Sequence, residues 1–374
     1  MTQTQNHKYT KTLLYTVFKY YAVTDLSMYT REFQKPRKSP LEESQVVVGT
    51  WNQIFESTDL SGVRKPLGIF MPSWLQNYRL KEWESFSIYH NSLSLELVFT
   101  NLKYYQSLFL FLYDRVTKEQ YYMSRLLPFT SRKLSKTLLN SSLEIRTHTL
   151  FFRVHNWLAA HTIALDLDIE ASLKRPPLTL HISFEVPEHF TPLTVNMLMG
   201  ERQPLYMCKL LSPLEGDVML GGTRWLLKST NACGIVCDGK GYYPYRSHAL
   251  RCMAAGVADN GLYGFSVGEN QAKNPYQNNE NALWYNGVLT AFPPVHITMP
   301  NGIESEWIIQ DLEGMVDLVF TPQEYIRSTF NALVNRIDYI ALFGYYNGDL
   351  VDLTGNHVPI RTVWGQGEKL YMRV

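Results

Sequence analysis

The side chains best suited to chemistry lie between Gly234 and Trp284, in a stretch rich in glycine, aromatic residues and cysteine. Arg246 and His248 follow its Gly-rich turn. An arginine can clamp a carboxylate, and a histidine can move a proton near neutral pH. The pair therefore indicates a site for a polar ligand group. The alternative is that Arg246 bonds loop carbonyls while His248 faces solvent.

The alternation of a β-strand sorts the residues around this pair into two faces. If Arg246 and His248 face into a barrel, they lie near its mouth, above a small apolar floor. The first face carries Arg246, His248, Leu250, Cys252 and Ala254, and the second carries Tyr245, Ser247, Ala249, Arg251 and Met253.

The leading carboxylate is Glu280, which stands between Asn279 and Asn281. Beside an apolar strand it is a candidate general acid or base with a raised pKa. Equally, it is a candidate for a structural ion pair with Arg246 or Arg251.

Other side chains of the same stretch complete the predicted site. Asp238 is a second candidate for handling a proton. We expect further ligand contacts from four residues: Tyr245, Arg251, Asn281 and Trp284.

Cysteine and glycine patterns argue against a bound metal or cofactor. Cys233-x3-Cys237 and His248-x3-Cys252 have the residue types of a zinc site, but their spacing differs from a CxxC knuckle. We expect small buried thiols instead. Gly239-x-Gly241 lacks a third glycine and a following helix, so it is not a dinucleotide fingerprint. The predicted chemistry needs no cofactor.

Composition bounds the class of protein. The 374 residues suggest two domains or one large β architecture, and 13% aromatic content favours strands and apolar cavities. A net charge of +1 offers no electrostatic footprint for nucleic acid or an anionic membrane. The sequence contains neither a secretory signal pattern nor a membrane-spanning apolar segment, and four cysteines are no disulfide framework. We expect a cytoplasmic protein.

The elements that position these residues are predicted to be strands. SLSLELVFT alternates polar and apolar residues, so Leu93, Leu95, Leu97 and Phe99 share one face. Similar segments recur at hairpin spacing up to residue 186, which favours antiparallel meanders. An irregular bridge is expected over 187–214, and a hairpin over 216–230 with Gly221-Gly222 at its turn.

Several motifs in order resemble the bacterial and fungal family known as domain of unknown function 2804. They are the segments Gly234–Gly256, Asn279–Trp284, Trp307–Pro322 and Gly365–Glu368, with weaker matches at Arg64–Leu67 and Lys81–Trp83. The resemblance implies a calycin-like fold, similar to the tandem lipocalin-type domains of the AttH-like and carotenoid-hydratase group. Those relatives act on apolar ligands.

The expected fold is all-β, with two lipocalin-like barrels or sandwiches over 51–214 and 215–374. Residues 1–50 form an extension whose segment LLYTVFKYYAV is a helix or a strand. The expected function is binding of an apolar or amphipathic small molecule, with possible hydration, isomerisation or cyclisation. The alternatives are a non-catalytic binding or scaffold protein with filled barrels and a carbohydrate-active β-sandwich. The sequence leaves the oligomeric state open.

Overall fold

A computed structural model describes residues 29–127, 134, 136–173, 175–258, 261–332 and 335–373. The segment LLYTVFKYYAV lies outside the described residues. The described chain is almost entirely antiparallel β, so the predicted all-β class is confirmed. The helical elements are α1 (Ser73–Arg79) and a 3-10 turn, Leu158–Ala160.

Among the described residues, thirteen strands form a first sheet, in the order β7-β6-β5-β4-β15-β13-β11-β10-β9-β8, with β12 and β14 on β13 and β3 on β12. A separate ribbon pairs β1 (Leu41–Glu42) with β2 (Gln45–Val46). The strands of the first sheet are β3 (Gly49–Trp51), β4 (Leu80–His90), β5 (Leu93–Asn101), β6 (Gln106–Asp114), β7 (Gln120–Leu127), β8 (Ser141–Arg146), β9 (Leu150–Trp157), β10 (Thr162–Ile169), β11 (Leu178–Glu185), β12 (Leu193–Met199), β13 (Gln203–Leu220), β14 (Thr223–Leu227) and β15 (Ala232–Tyr242).

A second sheet contains nine strands within the described part of the chain, in the order β19-β18-β17-β16-β24-β23-β22-β21-β20. Its strands are β16 (Arg246–Ala258), β17 (Gly261–Glu269), β18 (Ala282–Tyr285), β19 (Val288–Ala291), β20 (Val295–Thr298), β21 (Trp307–Asp311), β22 (Val316–Ala332), β23 (Asn335–Val351) and β24 (His357–Arg373).

Each sheet curls around its own apolar core. The predicted apolar face of β5 is confirmed, because Leu93, Leu95, Leu97 and Phe99 all lie in the core of the first sheet. The predicted hairpin is also confirmed, since β13 ends at Leu220 and pairs with β14.

The expected irregular bridge over 187–214 is wrong, because this segment contains β12 and most of β13. The expected boundary after 214 falls inside β13, and strands of the first sheet continue to Tyr242. The division into two domains stays a prediction. On sheet membership, we propose that it lies between Tyr242 and Arg246.

Gly216 explains how β13 can pair with two neighbouring strands, β15 and β11. β13 pairs with β15 over Leu205–Pro213 and with β11 from Leu214 onwards. Gly216 has φ +140°, and a Cβ atom there would stand 2.0 Å from the carbonyl oxygen of His181. Only glycine fits this bend, because any side chain would collide with the backbone of β11.

The outer faces of the two sheets pack against each other. One apolar cluster joins them through Leu205, Ile235, Met253 and Trp284. A second, aromatic cluster joins β6 to β23 and β24. In it the rings of Phe111 and Phe343 stack with centroids 4.1 Å apart, and those of Tyr113 and Trp364 with centroids 5.0 Å apart. The surface between the sheets is therefore a second interior, distinct from the two cores.

Candidate functional site

A cavity of about 180 Å³ lies between the sheets and is lined by strands of both. Apolar and aromatic side chains make up most of its wall, including Trp83, Tyr105, Phe109 and Phe330. Its charged side chains are Lys81, Glu82, Glu96, Arg251, Glu280 and Glu368. An apolar cavity with a few convergent charged groups is typical of a small-molecule site.

The cavity follows the direction of the strands. On the second sheet, Ser247 pairs with Met372 in the register, and Arg251 pairs with Glu368 four residues further along. On the first sheet, the cavity extends from Lys81 on β4 to Glu96 on β5. The contact of Gln366 with Ser87, beside Glu96, places the Glu96 end opposite Glu368. We call this the charged end and the other the Lys81 end.

Arg251 and Glu368 form the centre of the charged end. Arg251 Nε lies 3.4 Å from Glu368 Oε2. The other oxygen, Oε1, accepts hydrogen bonds from the Tyr339 hydroxyl at 3.0 Å and the Gln366 amide at 3.2 Å. Burial alone would lower the pKa of Arg251. The Glu368 and Glu280 carboxylates outweigh burial, so the pKa is raised above its ordinary value. Arg251 is therefore a permanent cation in the cavity wall.

Glu96 behaves differently, because no cation among the described residues pairs with it directly. Its side chain is only 1% exposed. Burial and the Glu368 carboxylate raise its pKa well above the usual range, although Ser87, Gln366 and Arg251 oppose the shift. Glu96 is thus a carboxyl group that keeps its proton at higher pH than an ordinary glutamate.

Glu280 belongs to a second ion pair at the same end. Lys209 Nζ lies 2.7 Å from Glu280 Oε2 and donates to Ser266 Oγ at 2.7 Å. Asn270 Nδ2 donates to Glu280 Oε1 at 3.0 Å. Burial would raise the pKa of Glu280, yet Lys209 and Arg251 outweigh it, so the pKa is lowered. Of the two alternatives for Glu280, the raised pKa is wrong, because Lys209 and Arg251 stabilise its charged form; the residue forms an ion pair, with Lys209 as the partner.

The charges of this end balance without Glu96. Among the described residues, two cations, Arg251 and Lys209, face two carboxylates, Glu368 and Glu280. A third carboxylate would leave an uncompensated buried negative charge, which is costly in a low dielectric. The charge balance and the raised pKa of Glu96 both indicate that Glu96 is the neutral carboxyl group at the charged end.

The loop that holds Glu280 is fixed by the N-terminal segment. Arg31 Nη1 donates to the carbonyl oxygen of Asn279 at 2.5 Å. Its Nη2 donates to those of Asn281 at 3.1 Å and Phe292 at 3.3 Å. Burial lowers the pKa of Arg31 to about 10, so the residue stays charged at neutral pH. Arg31 is a positioning residue for Glu280.

A lysine marks the opposite end of the cavity. Lys81 Nζ donates to the carbonyl oxygens of Tyr78 at 2.8 Å and Leu102 at 3.0 Å. Burial, followed by repulsion from Arg79 and Lys103, lowers its pKa to about 7. Lys81 therefore loses its charge near neutral pH, unlike an exposed lysine.

The predicted face alternation of β16 holds, but the cavity lies on the other face. Cys252 and Ala254 point into the core of the second sheet, whereas Arg251 lines the cavity between the sheets. Arg246 is exposed and does not line the cavity. His248 is also exposed, at the cavity rim, and its backbone N–H donates to Gln271 Oε1 at 3.1 Å.

Three further predicted ligand contacts, besides Arg246, lie outside the cavity lining. Tyr245 is 52% exposed. Asn281 is buried and saturated: Gly268 N–H donates to its Oδ1 at 2.8 Å, and its Nδ2 donates to the carbonyl oxygen of Pro293 at 2.9 Å. Trp284 Nε1 donates to the carbonyl oxygen of Thr191 at 2.9 Å, within the apolar cluster between the sheets.

Asp238 lies in a separate buried polar cluster, on the inner face of the first sheet. It stands opposite Glu84 in the register of β15 and β4, and Lys240 Nζ lies 3.5 Å from its Oδ2. Burial raises the pKa of Asp238. Burial and Asp238 raise that of Glu84 to about 7, while Asn156 Nδ2 donates to Glu84 Oε1 at 2.8 Å.

The four cysteines are free and buried, as expected for small packed thiols. Cys237 Sγ lies 3.2 Å from the sulfur of Met207, and burial raises its pKa to about 12. In the described part of the chain, no three His, Cys, Asp or Glu side chains form a group that could hold a metal ion.

Glu96 and Lys209 are the site residues that sequence reasoning missed. Glu96 occupies the polar face of β5, which an isolated alternating strand presents to solvent. Lys209 lies on β13, within the segment expected to be irregular. Glu368 had a weak signal, since it ends the Gly365–Glu368 motif.

No helix among the described residues is both long and apolar enough to cross a membrane.

The chain was compared with known proteins by sequence and by structure. A search of the curated proteins finds no match. Among solved structures, the chain is similar to kievitone hydratase from Nectria haematococca, at 9% identity and a TM-score of 0.45, over 78% of this chain and 88% of that chain.

The predicted family resemblance is confirmed by a match over most of the chain. The model of a family described as a domain of unknown function matches residues 46–374. This range contains both sheets and every charged side chain of the cavity. The chain therefore belongs to the DUF2804 family.

Proposed function

We propose that the protein binds an amphipathic small molecule in the cavity between its sheets and catalyses a proton-transfer reaction on it. The observation that carries the proposal is the pairing of a neutral acid, Glu96, with an arginine-bound carboxylate, Glu368, in one apolar cavity. Acid–base catalysis commonly uses two carboxyl groups whose environments give them different pKa values, so that one is protonated and the other ionised. The reaction class is non-redox: hydration, isomerisation or cyclisation.

The roles follow from what surrounds each group. Glu96 donates a proton to a double bond or carbonyl of the ligand, because its raised pKa keeps that proton available near neutral pH. Arg251 orients an oxygen of the ligand through charge-assisted hydrogen bonds. The aromatic wall, with Phe109 and Phe330, holds the apolar body.

The proton balance closes for a hydration. Glu96 protonates one carbon of the double bond, and a water molecule adds to the other. The added water then loses a proton to the carboxylate left on Glu96, which regenerates the acid. No electron is transferred, so the reaction requires no oxidant or reductant.

The size of the cavity limits the ligand. Pockets for drug-sized molecules usually have roughly 300–1,000 Å³. A volume of about 180 Å³ instead suits a small ligand, or the reacting end of a longer chain.

Non-catalytic binding is the second candidate, and one observation favours it. Both oxygens of Glu368 already have protein partners, as does Glu280 through Lys209 and Asn270. A site whose carboxylates are saturated can hold a ligand without reacting with it. The test must therefore separate binding from turnover.

The first experiment is native mass spectrometry of the protein purified from cells, followed by extraction and identification of any bound compound. A stoichiometric amphipathic compound supports the cavity site. Failure to find one in several growth conditions, with no thermal shift from amphipathic ligands, would contradict it.

The second experiment uses Glu96→Gln, which keeps the size of the side chain and removes the acidic proton. Turnover of the identified compound is expected to fall by about 10²–10⁴-fold while its dissociation constant changes little. The control is Glu188→Gln, because the Glu188 side chain is 89% exposed. Unchanged turnover in Glu96→Gln would exclude the role of Glu96 as the acid. Binding of the compound without any turnover by the wild type would favour non-catalytic binding.

A further inference from the structure

The segment from Arg64 to Arg79, next to the Lys81 end of the cavity, exposes three large apolar side chains. Ile69 is 64% exposed, Phe70 is 83% exposed and Trp74 is 71% exposed. Single exposed apolar residues are ordinary on a protein surface. Three within six residues, including a phenylalanine and a tryptophan, are the composition of an interfacial membrane anchor.

The exposure is built into the fold, because neighbouring residues of the segment are anchored. Leu67 packs on the core of the first sheet, and Met71 is only 6% exposed. Gln76 Nε2 donates to the carbonyl oxygen of Met71 at 3.0 Å, which ties α1 to the loop before it. The segment therefore presents Phe70 and Trp74 outward from a fixed base.

The charged side chains of the segment itself are all cationic. The sequence has no acidic residue between Asp59 and Glu82, whereas the same stretch contains Arg64, Lys65 and Arg79. Arg202 adds a further cation, since a Cβ atom at Gly68 would stand 3.6 Å from its Cδ. Arg64, Lys65 and Arg202 are exposed, and none forms an ion pair with a described residue. These unpaired cations complement an anionic surface.

The segment is attached directly to the cavity. Arg79 Nη2 donates to the carbonyl oxygen of Tyr243 at 3.0 Å, and Tyr243 lines the cavity. The hydroxyl of Tyr78 accepts a hydrogen bond from Asn335 Nδ2 at 3.2 Å, which joins α1 to the second sheet. A surface that lies on this segment would therefore face the Lys81 end and not the charged end.

We propose that the segment Arg64–Arg79 docks the protein on an anionic lipid bilayer, with Ile69, Phe70 and Trp74 inserted among the lipids and Arg64, Lys65 and Arg202 at the headgroups. This inference rests on the segment and on Arg202, and it stands whether or not the cavity is catalytic. Docking in this position brings the Lys81 end of the cavity to the membrane.

The experiment is flotation of the full chain with vesicles made from an equimolar mixture of phosphatidylcholine and phosphatidylglycerol, against vesicles of phosphatidylcholine alone. The wild type is expected to float with the anionic vesicles and to lose binding as salt is raised. The double variant Phe70→Ala/Trp74→Ala is expected to bind at least about tenfold more weakly. Arg64→Gln and Lys65→Gln are each expected to weaken binding by about fivefold.

The matched control is Leu312→Ala, which removes a side chain that is 70% exposed in the turn between β21 and β22. It is expected to bind vesicles like the wild type. All variants change exposed side chains, so their thermal midpoints should match that of the wild type, and this is checked first.

Two results would overturn the inference. One is wild-type protein that does not float with anionic vesicles, or floats equally well after Phe70→Ala/Trp74→Ala. The other is a concentration-dependent dimer that dissociates in the double variant without any vesicle binding. That result would assign the apolar tip to a second copy of the chain.

Discussion

Arg251 and Glu368 face each other across the antiparallel strands β16 and β24, and their ion pair lies in the wall between the two sheets. The pair is directly opposite in the register, where side chains of neighbouring strands come closest. Glu368 also receives hydrogen bonds from Tyr339 and Gln366. A buried pair of this kind is costly to break, because the remaining partner is left charged and desolvated.

Replacing Arg251 with methionine should therefore destabilise the fold by about 3–5 kcal/mol. Glu368 and Glu280 would both lose a cation that now lies beside them. Urea denaturation at neutral pH measures the loss. Arg246→Met, on the same strand but exposed, should change stability by no more than about 0.5 kcal/mol. The double variant Arg251→Met/Glu368→Gln should recover part of the loss, and no recovery would argue against a pairwise role.

The buried Glu84 predicts a pH-dependent stability. Its pKa is raised from 4.5 to about 7, so the folded state binds this proton more tightly than the unfolded state. Stability should therefore fall as the pH rises from about 4.5 to about 7, by roughly 3 kcal/mol, with the full loss present above that window.

Glu84→Gln should remove this loss, because a glutamine keeps an oxygen for Asn156 and carries no charge beside Asp238. Urea denaturation at pH 5 and pH 8 should show a smaller loss of stability in the variant than in the wild type, because the raised pKa values of Glu96 and Asp238 cause a loss that both proteins share. An equal decrease in both proteins would show that another group is responsible.

Glu96 should be visible as a protonated carboxyl group without any ligand. In a carbon-13 NMR titration of labelled glutamate, exposed side chains titrate near their ordinary pKa of about 4.3. Two carboxyl signals are expected to titrate at clearly higher pH, from Glu96 and Glu84, because burial raises both pKa values. Glu96→Gln should remove one and Glu84→Gln the other. If Glu96→Gln removed neither, the neutral acid would be a different residue.

Arg31 should stabilise the loop that holds Glu280 and not the sheets themselves. Arg31→Gln removes charge-assisted hydrogen bonds to the carbonyl oxygens of Asn279, Asn281 and Phe292. The free energy of unfolding is expected to fall by about 2–3 kcal/mol. Hydrogen exchange should quicken over 279–281, while amides of β13 keep their protection. Arg37→Gln is a suitable control, because Arg37 bonds within its own segment.

The sequence was informative wherever a local pattern decides the structure. Alternation placed Leu93 to Phe99 on one face, and Gly221-Gly222 marked the hairpin of β13 and β14. Order and type of motifs were sufficient to identify the family. These signals depend on neighbouring residues in the chain, which a single sequence displays.

The site was harder to predict because it depends on how two sheets pack. Glu96 and Arg251 lie on strand faces that look solvent-exposed from local alternation, yet each is covered by the opposite sheet. Of the ligand contacts predicted in the Gly-rich stretch, Asn281 and Trp284 make structural hydrogen bonds outside the cavity lining, whereas Arg251 lines the cavity. Likewise, a net charge of +1 conceals the cationic segment around Lys65.

The placement of the cavity has a consequence for how a ligand enters. Each sheet keeps its own core, and only Tyr243, Pro244 and Tyr245 connect β15 to β16. A lipocalin-type pocket inside one barrel opens at a fixed mouth, but a space between two bodies opens when they rock apart. To widen this space, the two sheets must part the apolar and aromatic clusters that join them.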